Sequence, residues 1–449
     1  MASVLLFEFE MPAGGRWFRF MSPRVRQPKT NEIMQNPKFL QVAHPPVRPF
    51  WGVIIAAAWV MLSLCPVSVH GLGVRIPNQD AEAIARGNAF VATADNPAAL
   101  YYNPAGITQL EGHNVQVGML TYLGVDVDYE SPGGVQSGNK AGNIFVPQIH
   151  YVFSPKDSKF SYGLGVYAPF GLSMYYGENT PFSTLGIEGR LQYVTVNPVI
   201  AWQALSSLSI AAGANVNASK FRLRQAIGIL PGDEFSFKGD DYALGFNAGI
   251  LWKPHEQWSF GAQYRSAATM DYRGYSETRP FAPKTGTQAS IDFPQIVTVG
   301  VSWRPTPQWN LEFNVDYTDW DTLNTLTLER AAGGPVSLPL NWQGSWFYEF
   351  GVTRYFEKGF FMSAGYFFSS TTTTEENFSP IVPDTDLHVI SIGIGHRGDR
   401  WSWALAGQYI FGPHRTIDDH VSTSLVGETA NGKWRVQTPA VTFSLGYRF

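Results

Sequence analysis

The chain has 449 residues, of which 15% are charged and 14% aromatic, with a formal net charge of −4. A typical soluble domain is roughly 25% charged, and the small negative balance, with no basic stripe, argues against a nucleic-acid partner. Mean hydropathy is near zero, yet no stretch after residue 66 is apolar for the roughly 20 residues a spanning helix needs, which favours strands that are apolar on one side only.

Residues 1–49 form an N-terminal extension, of which 1–33 resemble neither a signal nor a domain, and Met34 is an alternative start. Phe50 to Cys65, FWGVIIAAAWVMLSLC, follows Lys38 and Arg48 and precedes Pro66. It has the length of a signal-peptide core and is too short to span a membrane comfortably. With cleavage near Gly71, residues 50–71 form an export signal. Cys65 is the single cysteine, so a mature chain would carry no disulfide and no thiolate metal site. No His or acid cluster has metal or nucleophile spacing, so no metal, cofactor or catalytic residue is expected.

Residues 72–112 are rich in Ala, Gly and Asn and poor in charge, without a sustained strand period. From residue 113 to 449 period-two segments recur. In QWNLEFNVDY, Trp309, Leu311, Phe313, Val315 and Tyr317 oppose Asn310, Glu312, Asn314 and Asp316. Side chains at i and i+2 share a face, so each such segment has one oily and one polar side. Six short polar connections, such as Arg304–Gln308, alternate with seven longer ones near 130–142, 177–189, 225–240, 273–290, 320–341, 370–385 and 413–432. That asymmetry belongs to an outer-membrane barrel with tight periplasmic turns and long outer loops. The expected fold is therefore all-β, a 14-stranded antiparallel transmembrane β-barrel. Trp252, Trp258, Trp303 and Trp309 flank short turns, as a periplasmic aromatic belt would. The last strand, TPAVTFSLGYRF, alternates to an aromatic end at Phe449.

A barrel this wide is not closed by its own side chains. The 72–112 segment is the natural filler, a hatch at the amino terminus. Asn310, Glu312, Asn314, Asp316, Gln263 and Arg265 point inward and would bed it. In FSYGLGVYAPFGLSMYY, Pro169 cannot donate a ladder bond and Gly171 packs nothing, so Pro169, Phe170 and Gly171 mark a kink in the third strand. By itself such a kink reads as a bulge of ordinary barrel curvature. Met174, Tyr175, Phe182, Leu185, Ile229 and Leu230 are apolar residues in outer loops, hence ligand-capture candidates or packed loop cores.

The run ATADNPAALYYNPAGITQLEG, with Asn103, Pro104 and Ala105, resembles the hatch of the FadL/TodX family, transporters of long-chain fatty acids and other hydrophobic compounds. YRSAATMDYRG, DYTDW and the closing strands extend the likeness over about residues 72–449. The resemblance implies a monomer in the outer membrane of a Gram-negative-type bacterium, not an enzyme. It also implies capture at outer loops, an apolar lumen pocket and lateral release at the third-strand kink. Lys220 is the nearest match to a lysine that holds the ligand carboxylate, although its parity continues that of the lipid side; a second such lysine falls at Gln343. The loop after strand five is much shorter than in fatty-acid-transporting members. Expected partners are a hydrophobic small molecule, lipopolysaccharide and outer-membrane lipid, and the barrel assembly machinery. An outer-membrane phospholipase-like enzyme and a general porin are the alternatives.

Overall fold

Hydrocarbon offers no partner to an open N–H or C=O, so strands that face lipid must pair on both edges. The computed structural model of the chain describes residues 73–449 and meets this requirement with one antiparallel sheet closed on itself. The staves begin with β1 (Gly112–Tyr122), β2 (Ile144–Ser154), β3 in two pieces (Phe160–Tyr167 and Gly171–Tyr175), β4 (Glu188–Leu205), β5 (Leu208–Ala226) and β6 (Glu234–His255). Four interrupted staves follow: β7 (Trp258–Arg265 and Ala268–Arg279), β8 (Ala282–Phe293 and Ile296–Thr306), β9 (Trp309–Thr318 and Thr325–Arg330) and β10 (Val336–Pro339 and Ser345–Tyr355). β11 (Phe360–Ser369), β12 (Leu387–Arg397), β13 (Trp401–Phe411) and β14 (Gly432–Arg448) complete a 14-strand ring. It closes where β1 meets β14, from Asn114↔Arg448 to Tyr122↔Ala440.

Outward positions carry exposed Val297 and Val299 on β8, Leu311 on β9, Phe350 on β10 and Ile390, Ile392 and Ile394 on β12. A contiguous apolar girdle of this kind exceeds what water-facing surfaces expose and fits a bilayer. Beside the short turns, Trp258 stacks on Trp303 at 5.8 Å between ring centres, and Trp252, Trp309, Phe360 and Trp401 are exposed. This is the expected aromatic belt. Three expected long loops are largely strand instead: 273–290 continues β7 and β8, which pair from Ala268↔Phe293 to Thr278↔Ala282 and turn at residues 280–281; 320–341 carries the Thr325↔Pro339 to Leu328↔Val336 ladder of β9 and β10; and 225–240 shrinks to residues 227–233 because β5 and β6 pair up to Ala226↔Glu234. Alternating side chains sustain the β7–β8 ladder above the membrane, as in the Ser276–Thr287 hydroxyl pair at 2.7 Å. The extension, Met34 start and signal segment expected in residues 1–72 lie outside the described residues.

Residues 73–111 run inside the ring. They form α1 (Ala81–Ala85), α2 (Ala99–Tyr102) and a 3₁₀ turn at Pro104–Gln109, and nearly every side chain before Gln109 is buried. Inward glycines let the two backbones approach. A Cβ on Gly365 of β11 would lie 2.0 Å from the Gly87 nitrogen, and one on Gly261 of β7 would lie 2.1 Å from the Val91 carbonyl. Gly365→Val should therefore expel the inner segment and leave a heat-modifiable barrel whose planar-bilayer conductance rises. Unchanged conductance would show that the contact is not needed.

Candidate functional site

The inner segment has two parts with different attachments. Its body, residues 80–109, is bonded to staves all round the ring. The Asp80 carboxylate caps α1 by accepting from the Ala83 N–H at 3.2 Å. It also accepts from Gln116 of β1 at 2.7 Å and Ser444 of β14 at 3.0 Å. Opposite, Ala92 N–H donates to Glu312 at 2.8 Å and Asn310 donates to Thr93 at 2.8 Å. Asn314 donates to the Asn88 carbonyl at 3.4 Å, and Arg265 to the Tyr101 carbonyl at 3.4 Å. Most of the inward polar set thus beds the segment, as expected; Gln263 instead donates to Thr298.

At the periplasmic rim Arg397 grips Glu82 and Asp95, and Arg304 reaches Asp95 at 3.2 Å. Burial by itself would raise the Asp95 pKa, but the two guanidinium groups hold its carboxyl well below the usual range.

Asn103 is the pivot of the Asn-Pro-Ala run. Its side-chain oxygen accepts from Ala105 N–H at 3.2 Å and caps the 3₁₀ turn, with Pro104 at the first turn position, where its missing N–H costs nothing. Its amide donates to the Val91 carbonyl at 2.8 Å and to the Ile250 carbonyl of β6 at 2.9 Å. One buried side chain therefore folds the segment and fastens it to the wall, while Ala105 is fully buried beside it.

The remaining arm, residues 73–79, meets the wall at β3. β3 pairs with β4 as far as Tyr167↔Thr195 and resumes at Gly171↔Gln192. Four steps on β3 match three on β4, so Ala168–Phe170 contain one extra residue, a bulge. The bulge reverses parity: Gly165 and Tyr167 point inward below it, and Leu172 and Met174 above it. The β2–β3 ladder ends at Ile149↔Val166, while Ile144–Gln148 pair with β1 alone. Above, Lys140 N–H donates to the Tyr175 carbonyl at 2.8 Å. Between these limits is a window in the ladder, and the arm fills it. Ile76 N–H donates to the Pro169 carbonyl at 2.7 Å, Gly171 N–H to the Val74 carbonyl at 2.8 Å, and Gln79 to the Ala168 carbonyl at 2.8 Å. Arg75 crosses the lumen to Asp316 of β9, with a second contact at 2.8 Å.

Above the arm is an apolar cavity of about 120 Å³, with Val74 on its floor. Leu191, Phe221 and Leu223 line one side, Trp342 another, and Phe378 and Ile381 close it from the 370–386 loop. Among the described residues none of its lining is Lys, Arg, Asp or Glu.

The structure sorts the sequence candidates. Leu185 lines the cavity. Met174 is buried in the main apolar cluster and does not line the cavity, and Phe182 packs against Tyr176 and Trp434 with ring centres at 5.0 and 5.2 Å. Tyr175, Ile229 and Leu230 are exposed. The tip bearing the last two is held by Asp233, whose carboxylate accepts the N–H groups of residues 227–230. Desolvation opposes its charge, yet those four donors keep its pKa below the usual carboxylate range. Lys220 projects from the wall opposite to its neighbours Phe221 and Leu223, so it is not brought to the cavity. The cavity-lining Phe221 and Leu223 were readable from that alternation, whereas Val74, Trp342 and Ile381 come from distant segments with no local signal.

The chain matches the family described as outer membrane protein transport protein (OMPP1/FadL/TodX) over residues 67–449. It is 22% identical over 350 residues to a long-chain fatty acid transport protein of Escherichia coli O6:H1, covering 68% of this chain and 78% of that one. Outer membrane protein P1 of Haemophilus influenzae is 22% identical over 440 residues, covering 86% and 94%. Among solved structures, a Pseudomonas aeruginosa FadL homologue superposes with a TM-score of 0.71 at 18% identity, covering 84% of this chain and 100% of that one. The toluene transporter TodX of P. putida gives 0.66 at 17%, covering 83% and 99%.

Asn103→Ala removes a cap worth about 1 kcal/mol and orphans two carbonyls at about 1–3 kcal/mol each. Hydrogen exchange should then accelerate through residues 81–109 while the barrel ladders stay protected; equal protection in both would refute the pivot.

Proposed function

Because the chain belongs to the OMPP1/FadL/TodX family of outer-membrane transport proteins, we propose that it takes up hydrophobic small molecules and releases them sideways into the membrane. The observation that carries this reading is that one short arm, residues 73–79, both floors the apolar cavity and fills the gap beside β3. Moving that arm connects the two without opening a water-filled pore, since the body below remains fastened. Lipophiles are captured on the exposed apolar tips Ile229, Leu230, Leu425 and Val426; Val421, exposed on the same loop as the last two, belongs to the cavity lining. Each methylene buried contributes roughly 0.8 kcal/mol, so an apolar body gains by entering. Exit between β2 and β3, at Pro169, Phe170 and Gly171, returns it to hydrocarbon rather than to water.

The cavity as it stands is close to the ~150 Å³ of a dry apolar cavity that binds benzene, so it suits a monoaromatic or a short alkyl body. Outward Arg190, Arg222 and Lys238 are cross-strand neighbours on β4, β5 and β6, and like charges so placed repel. We assign them, with Lys220, to lipopolysaccharide phosphates. The aromatic-ended β14 is proposed as the strand read by the barrel assembly machinery, and the ring is closed by a single chain acting as a monomer.

Deleting Pro169 removes the extra residue and lets β3 pair continuously with β4. Uptake of a radiolabelled hydrocarbon should fall to that of cells lacking the protein while binding to purified protein persists; wild-type uptake would end the lateral-exit reading. Phe221→Ala should weaken binding of the same hydrocarbon by about 2 kcal/mol, roughly thirtyfold in Kd, measured by displacement of a fluorescent apolar probe.

A further inference from the structure

The arm 73–79 carries one charged residue, Arg75. Both terminal nitrogens of its guanidinium donate to the Asp316 carboxylate, at 2.5 and 2.8 Å, and one also reaches Thr318 at 2.6 Å. Thr298 of β8 donates to the same carboxylate at 2.5 Å. Arg75 and Asp316 are 3% and 2% exposed, and the guanidinium carbon lies 4.6 Å from the centre of the Phe347 ring. A two-point, desolvated pair of this kind is among the strong polar contacts in proteins, and it ties the arm to the far wall.

A second acid stands beside the pair. Glu349 of β10 is buried and accepts from Asn314 at 2.9 Å. Asn314 is the cross-strand partner of Glu349, and Asp316 that of Phe347, so the two acids are inward neighbours on adjacent strands. With Arg75, Thr298 and Tyr101 they line one space of about 10 Å³, at the lower limit for a single water. Among the described residues the other charges nearby are committed. Glu312 faces Arg86 at 3.6 Å and accepts from Ala92 N–H, and Arg265 of β7 donates to Tyr167 at 2.9 Å. Tyr101 and Tyr102 of the body are phenols, uncharged near neutral pH. One guanidinium therefore serves two carboxyl groups in a dry site.

We propose that Arg75 is a proton-sensitive latch on the arm: when the arm leaves its seat, the Asp316–Glu349 pair loses its cation and takes up a proton from solvent, so acid favours the open arm. Two carboxylates sharing a dry site cannot both stay ionised, and a buried charge stripped of its partner is costly; the proton relieves both and leaves again when Arg75 reseats. The sign follows from linkage. The open state binds more protons than the closed one, so the opening equilibrium gains about tenfold per pH unit of acidification for each proton taken up. The inference rests on the arm being the moving part of the uptake route.

Hydrogen exchange on the intact purified protein at pH 5, 6, 7 and 8, corrected for the intrinsic rate at each pH, reads the latch. The reporters are the Ile76 and Gly171 amides, which bond the Pro169 and Val74 carbonyls across the seam. Their protection should fall at least about tenfold from pH 7 to pH 5, while the Ala94 amide of the body, bonded to the Phe90 carbonyl, keeps its own. Equal loss at Ala94 would put the acid response in the rim pairs of Glu82 and Asp95 and overturn the latch. Arg75→Gln should leave the seam amides poorly protected at pH 7 and abolish their pH dependence, as should the double variant Asp316→Asn/Glu349→Gln; Arg75→Lys keeps the charge and should keep the dependence. Arg75→Gln alters no residue of the wall, so the test survives a double variant that does not fold. A flat profile in the unsubstituted protein, or an unchanged slope in Arg75→Gln, sinks the proposal. Toluene at pH 7 separates this from the uptake reading. If toluene lowers protection of the seam amides and acid does not, the latch fails and the moving arm stands; if neither loosens them, both fail.

Discussion

The structure depends on one constraint: a backbone polar group inside a bilayer must find its partner within the protein. Most seams meet it with ladders through the wall, and β1 with β14 closes the ring. The seam between β2 and β3 does not. Above Ile149↔Val166 the wall is unpaired, and the inner arm supplies partners for the carbonyls of Ala168 and Pro169 and the N–H of Gly171. The filler is thus a conditional part of the wall. Its presence seals the gap, and its departure leaves those three backbone groups without partners.

The bulge at residues 168–170 has a second effect. By reversing parity it turns Leu172 and Met174 toward the lumen at the height where the cavity begins, whereas Tyr167 below it faces polar Asn197 and bonds to it at 3.0 Å. One inserted residue therefore changes the pairing and the chemistry of the wall together. The lower lumen, with Glu312, Asn310, Arg265 and Asp316, is a hydrogen-bonded bed that holds the segment's body; the upper lumen is oily. The uptake route proposed above needs no general unplugging, because the arm at the seam and the body tied down below it are different stretches of the same segment.

Selectivity follows from what the cavity omits. With Arg75 and Arg224 paired to acids and Lys220 turned outward, the cavity presents apolar walls, to which a ligand can fit only by bulk and shape.

The strand count, the alternation of short turns and long loops, the aromatic belt and the outward faces were legible in the sequence, because each is a local period of two with punctuation. The kink at Pro169 and Gly171 and the inward polar row were legible for the same reason, and Asn103-Pro104-Ala105 was legible as a motif. Only the tertiary structure decided what these features do. That Asn103 bonds Ile250, that the arm 73–79 seals the β2–β3 seam, and that Val74, Trp342 and Ile381 share one cavity are contacts between segments far apart in the chain. Alternation along one strand says which way a side chain points; it cannot say what stands opposite across the lumen, because that is set by ring closure and by the path of the segment folded within it.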